Sequence, residues 1–429
     1  MSGPGPRDNE IPPLEQLLSL QEIEDLATQR LLSPQALSYY TSATDDELTK
    51  RDNGLAYRAI LLRPRIFVDC SISDLSTRLL GHALRIPIFV SPSAQNALAH
   101  PDAERGVAAA CSRFGALQII SKNASLPVAD IVAAGPSAVF AWQLYIVKDI
   151  DETRRDLARL KAVPQVRFIV LTVDAPFPGK REREVRFKAA EVAAGRAEPQ
   201  GWGTESALTW RRTLAWLQAE TDLPIVLKGV QTHEDAYAAS LFPAVKAIIL
   251  SNHGGRALDT AAPPIQTLLE IRRFCPQVLR DLPVLVDGGV RRGTDVVKAL
   301  ALGATAVGIG RAALYGLAVG GQKGVERTLE SESRLSTVSI ACVCWLPDTS
   351  FYLVLTEETT TAMRLLGARR VSELSPRHVS PSFYYLLTYH TYERSRTLLT
   401  ASLTQLNTTA LESRLYNGDA GLDGIKALL

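Results

Sequence analysis

The sequence predicts an α/β fold: a TIM (β/α)8 barrel with N-terminal helices and an interrupted C-terminal helical region. Eight short apolar segments, rich in β-branched residues, recur through the middle of the chain. Such segments suit strands that are buried on both faces of a parallel sheet. Segments with helical spacing separate them, as at 102–115 and 293–304. Eight strand–helix units favour a closed barrel over an open doubly wound sheet.

The predicted strands share a second property, because each apolar segment ends in glycine or polar residues. In a TIM barrel the carboxyl ends of the strands line the active face, so these polar ends predict a single site. Ahead of the barrel, residues 14–60 predict helices, the second of them around Pro34–Asp45. The eight strand segments are 86–93, 116–123, 138–145, 168–175, 223–230, 247–254, 282–289 and 306–313.

Composition disfavours several classes of protein. The chain has 429 residues, of which 46% are hydrophobic and 21% charged, as in a globular protein with a large core. Its net charge is only +2 and its basic residues are scattered, so we expect neither nucleic-acid nor membrane-surface binding. The sequence contains no run of the roughly 18 apolar residues that span a bilayer.

Targeting signals and cysteines together predict a reducing, cytoplasmic location. The first ten residues are polar and proline-rich, without the apolar core of a secretory signal. The last three residues, Ala427-Leu428-Leu429, differ from the usual peroxisomal tripeptide. Of the five cysteines, only Cys342 and Cys344 are regularly spaced, so we expect no disulfide framework.

A histidine lies at the end of the sixth predicted strand, in the segment Ser-Asn-His-Gly-Gly-Arg at 251–256. A histidine titrates near neutral pH, and with an arginine three residues later it suits base catalysis on an anionic substrate. The alternative is a buried structural histidine beside a surface arginine. The strand-end position of His253 and the glycines that follow it favour the catalytic interpretation.

Two other strand ends carry charged residues. After the fourth strand, Asp174 is a candidate partner that would fix the tautomer of His253 and stabilise its imidazolium form. A helix N-cap is the alternative role for this aspartate. Lys228 follows the apolar part of the fifth strand directly. Its ammonium could stabilise an anionic cofactor, form a Schiff base or extend to solvent, and the sequence leaves these three open.

Glycine-rich turns follow the seventh and eighth predicted strands, at 287–293 and 308–311. Turns at these two strands of a barrel form the usual phosphate cradle, in which backbone N–H groups point at the anion. Either turn alone is weak evidence, because glycine turns are common. Together they predict a ligand that carries a phosphate group.

With these motifs in place, the chain resembles the FMN-dependent 2-hydroxy-acid oxidases and dehydrogenases: glycolate oxidase, lactate oxidase and the flavin domain of lactate–cytochrome c reductase. The resemblance runs from about Leu37 to Gly316 and resumes near the C-terminus. The motifs that carry it are YYTSATDDELT from Tyr39, QLY from Gln143, LTVDAP from Leu171 followed by GKRE, SNHGGR from Ser251, and DGGVRRGTDVVKALALGA from Asp287.

The resemblance implies FMN as the cofactor, a small 2-hydroxy acid as the substrate, no metal, and a role for each matching residue. His253 would be the base and Asp174 its partner, while Lys228 would stabilise the reduced flavin ring near N1 and O2. Two guanidinium groups suit bidentate recognition of one carboxylate. The substrate-binding residues would be Tyr39, Tyr145, Arg181 and Arg256. The residues that would hold the isoalloxazine and the ribityl chain are Pro92, Ser93, Ala94, Ser121, Gln143, Thr172, Ser251 and Asp287. The residues that would bind the phosphate are Gly288, Gly289, Val290, Arg291, Gly310 and Arg311.

The chain departs from the family pattern beside the expected cofactor and substrate. Lys122-Asn123 follow Ser121, where relatives place a small hydroxyl residue and then a bulky apolar one that shapes the substrate side-chain pocket. Gln95 replaces an apolar residue beside the flavin. The loop at 182–206 is short and rich in alanine and glycine. These differences bear on which acid and which oxidant are preferred.

Three hypotheses about function follow. The leading one is FMN-dependent oxidation of an L-2-hydroxy acid, with oxygen, a quinone or a cytochrome as the electron acceptor and with a homo-oligomeric assembly. The second is another phosphate-binding barrel, such as an FMN isomerase or a nucleotide dehydrogenase, but these lack the paired arginines. The third is a flavin-binding barrel that is inactive because its C-terminus is disrupted. Because no haem-binding domain precedes the barrel, we expect no transfer of electrons to a fused cytochrome.

Two segments near the C-terminus break the barrel pattern. Residues 331–355 lack a helical period and carry two cysteines, and residues 380–406 are rich in Tyr, Thr, Ser and Leu. Joining their flanks restores a segment that resembles the continuous C-terminal end of the family. We expect two poorly ordered inserts, either translated non-coding sequence or lineage-specific insertions, and the alternative is a real C-terminal subdomain. The predicted organisation is a disordered lead at 1–13, an FMN-binding barrel at 14–330, inserts at 331–355 and 380–406, a helical region of the barrel at 356–379 and a tail at 407–429.

Overall fold

The structure, a computed structural model, describes residues 11–197, 203–330 and 354–380. Most of the two predicted inserts lies outside the described residues, as do the predicted tail and residues 1–10 of the predicted lead. The predicted barrel, in contrast, lies almost entirely within them.

Ten short strands are found in the described residues, and eight of them form the barrel. The strands are β1 (Thr77–Leu79), β2 (His82–Leu84), β3 (Ile88–Val90), β4 (Leu117–Ser121), β5 (Val139–Leu144), β6 (Val166–Thr172), β7 (Ile225–Val230), β8 (Val245–Leu250), β9 (Val284–Asp287) and β10 (Ala306–Ile309). Strands β3 to β10 run parallel in chain order and close into a barrel, because β10 pairs with β3 as well as with β9. Each barrel strand overlaps one of the eight predicted segments, with β6 and β8 beginning two residues earlier than predicted, so the predicted fold is confirmed.

Most barrel strands end a few residues before the last residue of the segment that predicts them. After β3, Pro92 has no N–H group to donate to a ladder. After β9, Gly288 turns the chain with a φ of +89°. The polar ends of the predicted segments therefore leave the sheet and gather at the carboxyl-terminal mouth of the barrel, which is where the sequence places the site.

A β-hairpin closes the opposite end of the barrel. Strands β1 and β2 pair antiparallel, and their residues Leu79 and Leu84 are buried in the apolar cluster that fills the barrel interior. The hydroxyl of Thr77 donates a hydrogen bond to the carbonyl of Thr305, just ahead of β10. The hairpin thus covers the amino-terminal end, and the carboxyl-terminal mouth is left for binding and chemistry.

The helices of the described residues surround the barrel and precede it, as predicted. They are α1 (Leu20–Leu26), α2 (Pro34–Tyr40), α3 (Leu48–Arg58), α4 (Ala103–Phe114), α5 (Val128–Ala134), α6 (Ile150–Leu160), α7 (Glu182–Ala193), α8 (Trp210–Glu220), α9 (His233–Ser240), α10 (Pro264–Phe274), α11 (Val278–Asp281), α12 (Gly293–Ala301), α13 (Arg311–Leu329) and α14 (Leu355–Leu366). Across the ranges that the structure describes, no helix combines the length and the apolar character needed to cross a membrane.

Helices α13 and α14 flank the first predicted insert and contact each other directly. Helix α13 ends at Leu329, whose carbonyl accepts a hydrogen bond from the hydroxyl of Thr356 on α14. Val354 and Leu355 are fully buried in the main core. The described residues on either side of 331–353 therefore lie next to each other.

Candidate active site

The carboxyl ends of β5, β6 and β8 bring three of the predicted residues into contact. His253 follows β8, and its Nδ1 lies 3.0 Å from Oδ1 of Asp174, which follows β6. On the other side of the ring, Nε2 lies 3.4 Å from the hydroxyl of Tyr145, which follows β5. The Asp174 carboxylate is fully buried, whereas the imidazole is partly exposed. A histidine held at one nitrogen by a buried carboxylate has its other nitrogen free for proton transfer.

The charge of Asp174 is maintained by its neighbours. Burial alone would raise the pKa of Asp174, but the hydrogen-bonded imidazole of His253 and the ammonium of Lys228 lower it, and the net shift is downward. The carboxylate therefore stays ionised and can stabilise a protonated imidazole. Gly229 makes room for it, because a Cβ there would lie 2.5 Å from both Cβ and Cγ of Asp174.

His253 and the two glycines after it all have positive φ, in the left-handed region. His253 has a φ of +59°, a conformation that costs a residue with a side chain about 1–3 kcal/mol and is often found at functional sites. Its amide donates to Oγ of Ser251 at 3.2 Å. Position 255 requires glycine, because a Cβ on Gly255 would lie 2.7 Å from the backbone nitrogen of Lys50. The glycines after His253 thus let the turn pack on α3 while the imidazole faces the mouth.

Lys228 extends from β7 into a group of buried polar side chains. Its Nζ donates to Oγ of Ser251 at 2.9 Å and lies 3.5 Å from Oδ2 of Asp287. The same Oδ2 accepts a hydrogen bond from Oγ of Ser91 at 2.9 Å. Only 5% of the Lys228 side chain is exposed, so extension to solvent, one of the three roles that the sequence leaves open, is wrong.

A line of hydrogen bonds connects the ends of β4, β5 and β6. Oγ of Ser121 donates to Oε1 of Gln143 at 3.3 Å, and Nε2 of Gln143 donates to Oγ1 of Thr172 at 3.0 Å. All three side chains are buried. The turn after β3 adds three partly buried residues, Pro92, Ser93 and Ala94. The predicted contacts of the flavin ring therefore lie side by side along adjacent strand ends.

The residues that depart from the family pattern lie on the same side of the mouth. The ammonium of Lys122 lies 2.9 Å from Glu152 and 2.6 Å from Asp156, both on α6, so its charge is neutralised there. Gln95 and Asn123 are exposed, and the backbone N–H of Gln95 donates to the backbone carbonyl of Asn123 at 3.2 Å. Both turns therefore present polar side chains at the rim.

Two arginines lie beside the histidine turn. The guanidinium of Arg256 lies over the ring of Tyr39, 4.9 Å from its centroid, and Nη1 donates to the carbonyls of Tyr39 and Ser42. Burial, and then the charge of Arg181, lower the pKa of Arg256 to about 10, which leaves it charged at neutral pH. Oε2 of Glu184 on α7 lies 2.7 Å from Nε of Arg181 and 3.7 Å from Nη2 of Arg256.

A narrow pocket of about 30 Å³ brings the histidine and the arginines together. It is lined by Tyr145, Ala175, Phe177, Pro178, Gly179, Arg181, His253, Arg256 and Ala257. A wider surface cleft of about 530 Å³ lies between α1, α2 and α7, but none of the predicted site residues lines it. The small pocket is therefore the candidate active site, because a base and two cations converge on it.

The glycine turns after β9 and β10 differ in what surrounds them. Gly288 and Gly289 have φ of +89° and +83°, and a Cβ on Gly289 would lie 2.3 Å from the backbone carbonyl of Asn53 on α3. Gly310 has the opposite environment, since a Cβ there would meet no atom of the described residues within 4 Å. The first turn is fixed by close backbone packing, and the second faces open space.

The remaining predicted phosphate ligands are not all directed alike. Arg311 donates a hydrogen bond to the carbonyl of Gly254 in the histidine turn, and Val290 is buried. The guanidinium of Arg291 instead pairs with Glu24 on α1, at 2.6 Å. The structure thus groups Arg311 with the mouth and holds the Arg291 side chain on α1, and the phosphate-binding role of Arg291 stays a prediction.

Three features of the site were not predicted from the sequence. Ser91 is the hydrogen-bond donor to Asp287. Asn53 and Asn252 are buried and exchange two hydrogen bonds, of 2.9 and 2.7 Å, which tie the histidine turn to α3. Glu184 faces the two arginines from α7. Of these, Ser91 and Asn252 carried a usable signal, since each is a polar residue just after a barrel strand.

Comparison with known sequences finds related proteins over most of the chain. A sequence model of the family of FMN-dependent dehydrogenases matches residues 28–334. The L-lactate dehydrogenase (cytochrome) of Saccharomyces cerevisiae is 38% identical over 387 residues, which are 85% of this chain and 61% of the yeast protein. A peroxisomal (S)-2-hydroxy-acid oxidase of Oryza sativa subsp. japonica is 36% identical over 380 residues, which are 84% of this chain and 95% of the rice protein. The chain thus spans nearly all of the rice oxidase and 61% of the yeast enzyme.

Solved structures share the architecture. A flavocytochrome b2 variant with pyruvate bound superimposes with a TM-score of 0.76 at 36% identity, over 87% of this chain and 88% of that one. A mandelate oxidase variant with (S)-mandelic acid gives a TM-score of 0.70 at 31% identity, over 85% of this chain and 98% of that one. The similarity therefore extends over the whole barrel.

Proposed function

The chain belongs to the family of FMN-dependent dehydrogenases, and we propose that it oxidises a small (S)-2-hydroxy acid, similar to lactate or glycolate, to the 2-oxo acid. The observation that carries this proposal is the single pocket lined by His253, Tyr145, Arg181 and Arg256. Oxidation removes two electrons and two protons from C2 and its hydroxyl. It therefore requires a base beside C2, a cationic site for the carboxylate and an acceptor for the electrons.

The residues around Lys228 fit FMN, which when bound would supply the two-electron acceptor. Oδ1 of Asp287 is buried without a hydrogen-bond partner among the described residues, so it can accept a bond from a ribityl hydroxyl. The buried ammonium of Lys228 would stabilise negative charge on the reduced ring. The open space at Gly310 and the turn at Gly288 suit backbone contacts to a phosphate.

His253 and Asp174 would move the proton. Because Nδ1 is held by Asp174, Nε2 is the nitrogen that accepts the substrate proton, whether it leaves from the hydroxyl or from C2. The buried carboxylate stabilises the imidazolium that forms. The hydroxyl of Tyr145 lies beside Nε2 and would donate a hydrogen bond to the oxygen on C2 of the substrate.

The two arginines would bind the substrate carboxylate. Arg256 is fixed by the backbone carbonyls of Tyr39 and Ser42 through Nη1, which leaves its other N–H groups for a ligand. Arg181 lines the same pocket and supplies a second guanidinium. The arrangement orients a carboxylate so that its neighbouring C2 lies towards His253.

Turnover also requires an electron acceptor for reduced FMN, and oxygen, a quinone or a cytochrome are the candidates. Similar proteins include a dehydrogenase whose name specifies a cytochrome and an oxidase named as peroxisomal. For this chain, a homo-oligomeric state and a cytoplasmic location stay predictions from the sequence.

Product analysis tests the proposal. FMN-loaded protein is incubated with glycolate, L-lactate or D-lactate and an artificial electron acceptor, and the 2-oxo acid is quantified. We expect glyoxylate or pyruvate from the first two acids, with D-lactate slower by at least about tenfold because its C2 hydrogen points away from the base. Bound FMN without any 2-oxo acid, across a wider panel of hydroxy acids, would favour the inactive flavin-binding barrel.

A further inference from the structure

Helix α7 is attached to the barrel by charge rather than by an apolar face. Its single buried side chain is Glu184, while Val185 beside it is exposed. At its start, Arg183 lies 2.8 Å from both carboxylate oxygens of Glu47, in the turn ahead of α3. The apolar residues Phe187 and Val192 of this helix are only half-buried, so its ion pairs contribute much of what docks it.

The contact between Glu184 and Arg181 is close but poorly formed. Oε2 of Glu184 lies 2.7 Å from Nε of Arg181, yet neither atom has a partner in hydrogen-bond geometry within the described residues. The one hydrogen bond between the two side chains, from Nη2 to Oε1, is long at 3.5 Å. A well-formed guanidinium–carboxylate pair makes two parallel hydrogen bonds of about 2.7–2.9 Å. A ligand carboxylate that makes such a pair can therefore compete with Glu184.

The charges of Arg181, Arg256 and Glu184 also favour the binding of a second carboxylate. Two guanidinium groups, with 19% of the Arg181 and 15% of the Arg256 side chain exposed, face one carboxylate with 4% exposed. Lys188 pairs with Glu184 at 2.7 Å, but its side chain is 60% exposed and largely solvated. Two partly buried cations that face one buried anion leave an excess of positive charge, which favours the binding of a further anion.

We propose that Glu184 is an internal carboxylate that competes with the substrate carboxylate for Arg181 and Arg256, and so sets the affinity of the pocket for carboxylate ligands. The inference rests on the proposed function, in which the two arginines bind the substrate. Glu184 acts through the arginines and is a positioning residue. Its charge weakens the binding of substrate and product alike, which favours release of the 2-oxo acid after each turnover.

Replacement of the carboxylate by an amide tests this inference. Glu184→Gln keeps the size of the side chain and removes its charge. The matched control is Glu182→Gln on the first turn of the same helix, where Glu182 pairs with Lys180 and Arg186. The probe is oxalate, which has two carboxylates and no C–H bond to oxidise, titrated into the FMN-loaded protein by calorimetry. We expect the Kd for oxalate to fall about 5- to 20-fold in Glu184→Gln and to change less than about twofold in the control.

An oxalate Kd that is unchanged or weaker in Glu184→Gln, at normal FMN content, would overturn the inference. If that variant loses FMN or fails to fold, Glu184→Asp decides, because it keeps the charge and withdraws it from the arginines. Its Kd should fall by a smaller factor, and an unchanged or weaker value would again contradict the competition. In kinetics, KM should fall in Glu184→Gln without a rise in kcat. Since oxalate binds without turnover, absence of hydroxy-acid oxidation would contradict the proposed function and leave the test of Glu184 intact.

Discussion

The two halves of the barrel mouth are built by different means. In the catalytic half, at the ends of β5, β6 and β8, side chains contact side chains: His253 is held between Asp174 and Tyr145. In the cofactor half, at the ends of β9 and β10, glycines shape the turns: Gly289 brings its backbone against that of Asn53, and Gly310 leaves open space. The catalytic half thus depends chiefly on which side chains meet, and the glycine turns of the cofactor half depend on the absence of a side chain.

This difference predicts different consequences of substitution. A partly exposed side chain in the catalytic half can be removed with little effect on the core, so the loss should be in rate or in substrate binding. A side chain added at Gly289 collides with the backbone of α3, so the loss should be in folding and in FMN binding.

The largest effect is expected for Gly289→Ala. The new Cβ would lie 2.3 Å from both C and O of Asn53, at a φ of +83° that side chains rarely adopt. We expect destabilisation by more than about 4 kcal/mol and loss of FMN, measured by thermal unfolding and by the visible spectrum of the purified protein. The control is Gly310→Ala, at a φ of −106° and in open space, which should keep the parent stability. A Gly289→Ala protein as stable as the parent would remove the distinction between the halves.

In the catalytic half, His253→Ala should keep FMN and lose chemistry. Anaerobic flavin reduction by the preferred acid, followed by stopped-flow absorbance, should slow by at least about 10²-fold, the usual contribution of a positioned base. The His253→Ala substitution also removes the contact with Asp174, but it removes no buried apolar surface, so we expect the fold to be kept. Near-normal reduction by the variant would assign the base to another residue.

Arg256→Lys tests the assignment of the arginines to substrate rather than cofactor. Lysine keeps the positive charge but cannot hold the carbonyls of Tyr39 and Ser42 and a carboxylate at once. We expect KM to rise about 10- to 100-fold while the Kd for FMN changes less than about twofold. Equal weakening of FMN and substrate binding would place Arg256 in the cofactor half instead.

The smallest effect is expected where the first predicted insert is removed. Helix α14 contacts the start of α12, just after the glycine turn that follows β9. Glu358 on α14 accepts a hydrogen bond from the backbone N–H of Gly293 at 2.6 Å. Replacing residues 331–353 by a short glycine linker keeps α14 and should change the free energy of unfolding by less than about 1 kcal/mol, with FMN retained and soluble yield raised. A deletion extended through Val354 and Leu355, which are buried in the core, is the matched control and should destabilise the protein. Loss of FMN in the shorter deletion would favour a structural subdomain over an insert.

The sequence is informative where a pattern is local. Eight apolar segments predict the barrel because each is a strand buried on both faces. His253, Asp174 and Lys228 can be recognised because each is a charged or titratable residue that follows the apolar part of such a segment, at the mouth of the barrel. The glycine turns are equally visible, and the structure adds the reason for one of them, the approach of Asn53 to Gly289.

What the sequence does not reveal depends on distant pairing. Asn53 and Asn252 are 199 residues apart, and nothing in either segment indicates that they exchange hydrogen bonds. Glu184 pairs with Arg181 only three residues away, but only the folded position of α7 shows that it also lies near Arg256. Arg291 shows the converse, since its motif predicts a phosphate ligand while the side chain pairs with Glu24. Local pattern assigns residues to the mouth, but their partners follow from the fold.

Anaerobic titration of the FMN-loaded protein with glycolate and with L-lactate tests the central claim most directly. The visible absorbance of the flavin should bleach with one of these acids in the parent, and at least about 10²-fold more slowly in His253→Ala at equal FMN content. FMN that is bound but is not reduced by any hydroxy acid in a broad panel would contradict the claim that the catalytic half oxidises 2-hydroxy acids.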